Sequence, residues 1–264
     1  MWTAAAALLL SLAPHQDGKL AISNLRATYG VPGIVRETSK VSPGDVLYLC
    51  FDITGVKLTE EGNATYSLTT EIKNGAGETQ FKHAGKPVTV KALLGGDRIT
   101  AYTTVDVGSK QKAGEYTVFI SVNDKSATAS TKASFNLGEP EFALVHVLTA
   151  LDAERKGIAA TFTVGQTAHL SGQIVGFKRN DVGAPDIKVE LAILDDRGNP
   201  TNKTPITGSI DSKSQVPSGA VALPVQVPVG LNRPGKFTAV IKVTDMVTGK
   251  TSGLKLPLIV SEGK

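Results

Sequence analysis

The sequence predicts an all-β chain of two tandem antiparallel β-sandwiches related by internal duplication. Segments 114–124 and 235–245 both alternate apolar and polar residues, as a strand with one buried face does. The two segments begin 121 residues apart, and the same offset aligns further glycines and apolar residues. No segment has the sustained 3.6-residue period of an amphipathic helix.

The offset of 121 residues places turn residues on turn residues and core residues on core residues. It pairs Gly44-Asp45 with Gly165-Gln166 and Tyr116 with Phe237. Further matches are Leu49 with Leu170, Ile53 with Ile174, Gly55 with Gly176, Gly62 with Gly183, Gly77 with Gly198 and Asp124 with Asp245. Since turns need glycine for positive φ and strands need apolar residues for a core, this pattern predicts a duplicated fold.

The duplication divides the 264 residues into a leader and two domains. We expect a leader at 1–16, a first sandwich at 17–138 and a second sandwich at 139–264. Each sandwich is long enough to bury its own core. Gly138-Glu139-Pro140 is the expected linker, and because Pro140 stiffens it, the two sandwiches should sit end to end.

The leader has the features of a cleaved export signal. An apolar run at 4–12 is broken only by Ser11, and Ser11 and Ala13 are small residues at positions that signal peptidase prefers. A buried first strand is the alternative. The run is too short to cross a bilayer, and no later segment is apolar enough, so no membrane span is expected.

Strands of the first domain are expected at 21–26, 46–53, 66–72, 88–94, 99–105, 114–124 and 128–137. Those of the second domain are expected at 167–174, 187–193, 221–229, 235–245 and 254–260. Pro224 and Pro228 share one face of their segment, and proline cannot donate to a sheet ladder. That strand should therefore lie at a sheet edge or be discontinuous.

The matched motifs carry a family resemblance. Ile53-Thr54-Gly55 and Gly114-Glu115-Tyr116-Thr117 return as Ile174-Val175-Gly176 and Gly235-Lys236-Phe237-Thr238. This pattern resembles the immunoglobulin-like sandwich domains of bacterial secreted and cell-surface proteins, and most of all uncharacterised two-domain exported proteins of that kind. The resemblance implies the fold over roughly 20–260 and implies little about function. Phe237 has no hydroxyl, so a tyrosine-corner hydrogen bond cannot form in both copies.

Charge and cysteine content narrow the function classes. The net charge is +4, but Lys and Arg are spread singly, whereas nucleic-acid binding requires clustered basic residues. No nucleic-acid partner is therefore expected. Cys50 is the single cysteine, which excludes an intrachain disulfide, and its counterpart is Ser171. A packed free thiol is the expected state, because the neighbouring sequence offers no basic residue to activate it.

Catalytic, metal and cofactor motifs are not found. The four histidines form no short-spaced ligand pair, although His146 and His169 could meet in space. Asp195 and Asp196 could begin a calcium site, but a hairpin turn is the simpler interpretation, and Glu139 and Glu141 could hold calcium only with more oxygen ligands. We therefore predict no catalytic residues, no cofactor-binding residues and no metal ligands.

Two further motifs have structural interpretations. Gly249-Lys250-Thr251 lacks the earlier glycine and the following helix of a phosphate-binding loop. Asp124 and Asp245 recur in both copies, and since two copies rarely keep one active site twice, both are expected to cap turns.

The sequence favours a non-enzymatic, extracytoplasmic structural or adhesive binding module. Its partner would be an envelope protein or a polysaccharide, bound through loops or exposed strand edges. The alternatives are a carbohydrate-binding module, which the scarcity of aromatic residues disfavours, and a periplasmic chaperone of two sandwiches, whose domains are not close repeats of each other.

Overall fold

A computed structural model describes residues 19–263, and the expected leader at 1–16 lies outside the described residues. All regular structure in the described part of the chain is β-strand. The described residues include no helix that could cross a membrane.

Ten strands make up the described part of the first half, residues 19–138. They are β1 (Ala21–Tyr29), β2 (Ile34–Val35), β3 (Lys40–Val41), β4 (Val46–Thr54), β5 (Asn63–Asn74), β6 (Thr79–Ala84), β7 (Val88–Lys91), β8 (Ile99–Asp106), β9 (Gly114–Asn123) and β10 (Thr128–Leu137). One sheet has the order β2-β1-β4-β8, and the other has the order β3-β10-β9-β5-β6 with β7 also paired to β5.

Eight strands make up the second half. They are β11 (Ala143–Ala150), β12 (Thr161–Thr163), β13 (Thr167–Val175), β14 (Ile187–Leu194), β15 (Ile206–Ile210), β16 (Ala222–Gly230), β17 (Gly235–Asp245) and β18 (Thr251–Ser261). Their sheets have the orders β11-β13-β16 and β12-β18-β17-β14-β15.

Both halves therefore have the same plan, and the predicted fold class of two tandem immunoglobulin-like antiparallel sandwiches is confirmed. In each half the opening strand joins one sheet, and a short strand that follows pairs in parallel with the last strand of the other sheet. All other strand pairs are antiparallel.

Turn glycines have the same backbone conformation in both halves. Gly44 and Gly165 have φ of 87° and 90°, Gly55 and Gly176 have 71° and 67°, and Gly114 and Gly235 both have 145°. An L-residue rarely adopts these angles, so the matched glycines fix where each turn lies. A bulge also recurs in the opening strand of each half, between Ser23 and Arg26 and between Val145 and Leu148.

The cores follow the strand alternation. In the first half the inward side chains of β4 and β9 meet between the sheets, and Phe51, Ile53, Val118 and Ile120 are fully buried. In the second half Ile174 and Ile241 occupy the places of Ile53 and Ile120, and Leu170 and Leu191 are also buried in the core. Tyr29 and Ile34 of the first half also pack in the core cluster of the second half.

The predicted edge position of the proline-containing strand is confirmed. β16 pairs with β13 and is the last strand of its sheet. Pro224 lies opposite Gln173, and Pro228 lies opposite His169.

Candidate functional site: the junction between the two sandwiches

Polar side chains from both halves converge where the sandwiches meet. We call Tyr29, Arg36, Asp45, Tyr48 and His146 the junction cluster. Asp45 lies in the turn before β4, Arg36 follows β2, and His146 lies in the bulge of β11. The cluster thus connects three segments of the first half to the opening strand of the second.

Asp45 is the centre of this cluster. Its Oδ2 accepts hydrogen bonds from Nη1 and Nη2 of Arg36 at 3.0 and 2.9 Å. Its Oδ1 accepts from the backbone N–H of Val46 at 2.9 Å and from that of His146 at 2.8 Å. The Arg36 and Asp45 side chains are only 5% and 7% exposed, so each buried charge depends on the other.

Arg36 is held on further sides. Its Nη2 donates to the Lys40 carbonyl at 3.3 Å, and its guanidinium carbon lies 4.8 Å from the centre of the Tyr29 ring. The Arg36 Nε is buried without a hydrogen-bond partner. The guanidinium is therefore committed to the junction and is not presented to solvent.

Tyr48 and His146 form the second polar contact across the junction. The Tyr48 hydroxyl lies 3.3 Å from the His146 Nε2. Burial raises the pKa of Tyr48, and burial together with the nearby Arg155 lowers the pKa of His146. A protonated phenol beside a neutral imidazole is thereby favoured, so the Tyr48 hydroxyl can donate to the imidazole.

The hairpin of β1 and β2 interlocks the two halves. Tyr29 and Ile34 are 8% and 5% exposed in a cluster with Leu170 and Leu191 of the second half. A Cβ added at Gly30 would lie 2.7 Å from the Cγ2 of Ile158. The first half therefore completes the core of the second half, and the contact extends well beyond the linker at 138–140.

A cavity of about 320 Å³ lies beside the junction cluster. Its rim includes Lys40 and Glu141, whose side chains form an exposed ion pair at 3.4 Å between the halves. Glu141, considered above as a calcium ligand, thus faces an ammonium group.

The structure places the histidines of the described part of the chain apart. His83 lies on β6, and His169 on β13 lies opposite Ala150, four residues along β11 from His146. That spacing corresponds to about 13 Å along a strand. The suggested meeting of His146 with His169 is therefore wrong. In the described residues, no group of three or more His, Cys, Asp or Glu side chains could hold a metal ion.

The recurrent aspartates cap turns, as predicted. Asp124 Oδ1 accepts from the backbone N–H groups of Ser126 and Ala127 at 3.0 and 2.9 Å. Asp245 Oδ1 accepts from the N–H of Val247 at 3.0 Å, and its Oδ2 accepts from the Thr248 hydroxyl at 2.8 Å.

The other predicted turn and thiol positions also have structural roles. Asp195 Oδ1 accepts from the N–H groups of Arg197 and Asn199, and these bonds lower the pKa of Asp195. Gly249 lies in the hairpin between β17 and β18, so no helix follows it. Cys50 is buried with its Sγ 3.2 Å from the Thr28 Oγ1, as expected for a packed thiol.

Sequence reasoning missed Asp45 and Arg36 as a pair. Asp45 was identified only as half of the Gly44-Asp45 turn. Its counterpart in a well-matched stretch is Gln166, and this change from a charged to a neutral side chain was the available signal. Arg36 has no such signal, because it lies between short strands that the alternation pattern does not reveal.

No family model and no curated protein sequence matches the chain. Among solved structures, the C-terminal domain of the AgI/II polypeptide BspA of Streptococcus agalactiae is 11% identical with a TM-score of 0.31, and the alignment covers 91% of this chain and 100% of that one. Alpha-2-macroglobulin of Escherichia coli is 13% identical with a TM-score of 0.31, over 94% of this chain and 22% of that one.

The alkylpurine DNA glycosylase AlkC of Pseudomonas fluorescens, bound to DNA with an abasic site analogue, is 14% identical with a TM-score of 0.30. That alignment covers 46% of this chain and 31% of the glycosylase, so the chain spans about a third of its length. None of these similarities is close enough to transfer an activity, a ligand or a partner.

Proposed function

We propose that this chain is a non-enzymatic, extracytoplasmic module of two duplicated immunoglobulin-like sandwiches that acts as a structural or adhesive part of a bacterial cell envelope. The observation that carries the proposal is the interlocked junction. A buried Arg36–Asp45 pair and the inserted Tyr29 and Ile34 join two sandwiches into one body. Such a body presents its loops and strand edges at a fixed spacing, which suits a spacer or a binding module.

The chemistry of the junction supports a structural role. Asp45 uses both carboxylate oxygens on partners within the chain, and Arg36 is covered by Tyr29. Catalysis would need a nucleophile and a base that both face a place for substrate. Here the polar groups of the junction are directed at each other.

The proposed domain limits are those that the sequence predicts. We propose an export signal at 1–16, one duplicated sandwich at 17–138 and the other at 139–264. The recurrence of strand order, turn glycines and the bulge in the opening strand supports the duplication.

A sugar-binding role has little support from the tyrosines. Tyr29, Tyr66 and Tyr116 are buried, while Tyr102 is 51% exposed. Carbohydrate sites commonly use a platform of several exposed rings, and in the described residues Tyr102 is the one tyrosine that is more than half exposed. A polysaccharide pull-down without retention would dispose of this alternative.

The experiment that tests the proposal combines cell fractionation with a pull-down from cell-envelope extract. The protein should be found outside the cytoplasm of intact cells, and its recovery in the cytoplasm would overturn the proposal. For the pull-down, Gln166→Ala is a suitable control for Asp45→Ala, because it changes the matched turn without touching the junction. Separate halves are poor baits, since the second half alone would lack Tyr29 and Ile34 in its core.

The partner identified in the pull-down would then refine the role. A partner that wild type and Gln166→Ala retain and Asp45→Ala loses would show that binding depends on the fixed arrangement of the two sandwiches. Loss of binding by Gln166→Ala as well would argue against any special role of the junction.

A further inference from the structure

The edge strands β8 and β16 occupy equivalent places but have different edge chemistry. Each is the last strand of its sheet, and no strand in the described residues pairs with its outer side. Thr100 lies opposite Asp52, and Pro224 lies opposite Gln173, the counterpart of Asp52 at the offset of 121 residues. By the same register, Thr104 is the counterpart of Pro228, since they lie opposite Tyr48 and His169.

The backbone hydrogen bonds show which residues of β8 direct their amides outward. The N–H of Val107 donates to the Asp45 carbonyl, and the N–H of Gly44 donates to the Val107 carbonyl, both at 3.0 Å. Val107 therefore faces the β4 side of the sheet. Because successive residues of a strand point their N–H and C=O groups to opposite sides, Thr100 and Thr104 face away from β4.

In the second half the equivalent positions of β16 also face outward, but they are occupied by proline. The N–H of Leu231 donates to the Gln166 carbonyl, so Pro224 and Pro228 are the positions that face outward on β16. Proline has no N–H, so these two residues remove donors from the outer edge and blunt it against pairing. The outer edge of β8 keeps its donors at the equivalent positions.

The sequence of β8 is complementary to itself in antiparallel pairing. If two copies pair about Tyr102, Thr100 lies opposite Thr104 and Arg98 lies opposite Asp106. Thr100, Tyr102 and Thr104 are exposed and uncharged, and Arg98 and Asp106 are exposed with opposite charges. Opposite charges and paired aromatic rings across two strands both favour this register.

The segment between β7 and β8 carries exposed apolar surface. Leu93 and Leu94 are 81% and 102% exposed. Adjacent apolar side chains this exposed are a common mark of a protein–protein contact.

We propose that β8 is a dimerisation edge, at which two copies of this chain pair antiparallel about Tyr102 into one continuous sheet. The partner is a second copy because Arg98, just before β8, and Asp106, at its end, lie opposite each other when two copies of the strand pair antiparallel. The contact uses the same surface of both copies, so it closes at two, and the prolines of β16 prevent the matched edge of the second half from extending the assembly.

The first test is the mass of the purified full chain by light scattering over a range of concentrations. We expect wild type at twice the mass of one chain and Thr104→Pro at the mass of one chain, because this substitution copies the edge of β16. Proline should be tolerated in the fold, since the Thr104 N–H does not face β4. A wild-type chain that stays monomeric, or a Thr104→Pro chain that remains a folded dimer, would overturn the proposal.

The second test fixes the register and does not rely on proline. Arg98→Asp places like charges opposite each other, and so does Asp106→Arg. Each should raise the dimer dissociation constant roughly ten-fold, while Arg98→Asp combined with Asp106→Arg should restore it. Failure of the double variant to recover the dimer would contradict pairing about Tyr102.

Hydrogen exchange identifies the occupant of the edge. The amides of Thr100 and Tyr102 should exchange slowly in the wild-type dimer and rapidly in the monomeric Thr104→Pro chain. Slow exchange at these amides in a chain of monomer mass would mean that another segment of the same chain covers β8, and this outcome would reject the second copy.

Discussion

The turn before β4 and the turn before β13 have nearly the same backbone conformation, but their side chains make different contacts. Gly44 and Gly165 have φ of 87° and 90°. The next residue is buried Asp45 in the first half and exposed Gln166 in the second. Asp45 binds Arg36 and the His146 amide, whereas the Gln166 side chain accepts one bond from the Thr163 N–H at 2.8 Å.

This difference separates two requirements on a repeated position. The glycine is present in both halves because both need the same turn, so it indicates that the two halves have the same fold. The changed neighbour satisfies a need that exists only once, at the contact between the halves. In a duplicated chain, a mismatch beside a well-matched glycine is thus a signal for a specific interaction.

The largest effect is expected from Asp45→Ala. This substitution leaves the buried Arg36 charge without its partner and the His146 N–H without its acceptor. Breaking a buried pair in this way typically costs about 3–5 kcal/mol of unfolding free energy. Urea unfolding should show this loss, whereas Gln166→Ala removes one exposed hydrogen bond from the Thr163 N–H and should cost no more than about 1 kcal/mol. Equal effects of the two substitutions would remove the contrast between the turns.

Ile34→Ala tests whether the inserted loop belongs to the second core. Ile34 is 5% exposed there, and truncation of a buried isoleucine costs about 2–5 kcal/mol. Its neighbour Val35 is 53% exposed, so Val35→Ala is a matched control expected to change stability by less than about 0.5 kcal/mol. Thermal or urea unfolding measures both, and an Ile34→Ala chain as stable as the control would mean that the loop does not support the second sandwich.

Tyr116 and Phe237 show a second difference between the halves. The Tyr116 hydroxyl donates to the Lys112 carbonyl at 2.7 Å, which is a tyrosine corner, while Phe237 packs under Arg233 at 4.9 Å. Tyr116→Phe should therefore cost about 0.5–1.5 kcal/mol in a urea titration. Tyr66→Phe provides the control, because the Tyr66 ring is also buried and its hydroxyl makes no hydrogen bond within the described residues. A Tyr116→Phe chain that unfolds at the same urea concentration as wild type would show that the corner adds nothing.

The smallest effect concerns pH. Burial lowers the pKa of His146 in the folded chain below its ordinary value of 6.5, and Arg155 lowers it further against the opposing influence of Asp45 and Asp106. The unfolded chain therefore binds the proton more readily, so this contribution to stability is complete above pH 6.5 and declines as the pH falls through the folded pKa.

His146→Asn should reduce this acid sensitivity. Asparagine tolerates the positive φ of 49° at His146, and Asn24 with φ of 53° occupies the matching bulge of the first half. The measurement is unfolding free energy against pH between about 7.5 and 5 for both chains. An unchanged pH profile would mean that His146 does not titrate within the junction.

Much of the fold could be predicted from the sequence because two matched stretches have the same alternation of apolar and polar residues and the same turn glycines. The strands with strong alternation, such as β9 and β17, lie where expected, and the prolines of β16 predicted its edge position. Short strands were missed because two or three residues carry no period: β2, β3 and β12 are examples. β6 was missed because all of its side chains are exposed, so it shows no buried face.

The junction could not be predicted because it depends on contacts distant in sequence. Asp45 and His146 are 101 residues apart, and their bond joins a side chain to a backbone amide inside a bulge. Every residue except proline has a backbone N–H, so the residue type at 146 does not reveal that this amide donates to Asp45. Tyr29 packs in the other sandwich because of the path that the chain takes between β1 and β2, and no sequence pattern reveals this path.

The central claim is that the two sandwiches behave as one body through the junction. The most direct measurement is calorimetric unfolding of the wild-type chain and of Asp45→Ala, with the calorimetric enthalpy compared with the van't Hoff enthalpy. We expect one cooperative transition with equal enthalpies for wild type and a separation into two transitions for Asp45→Ala. Two independent transitions in the wild-type chain would contradict the account.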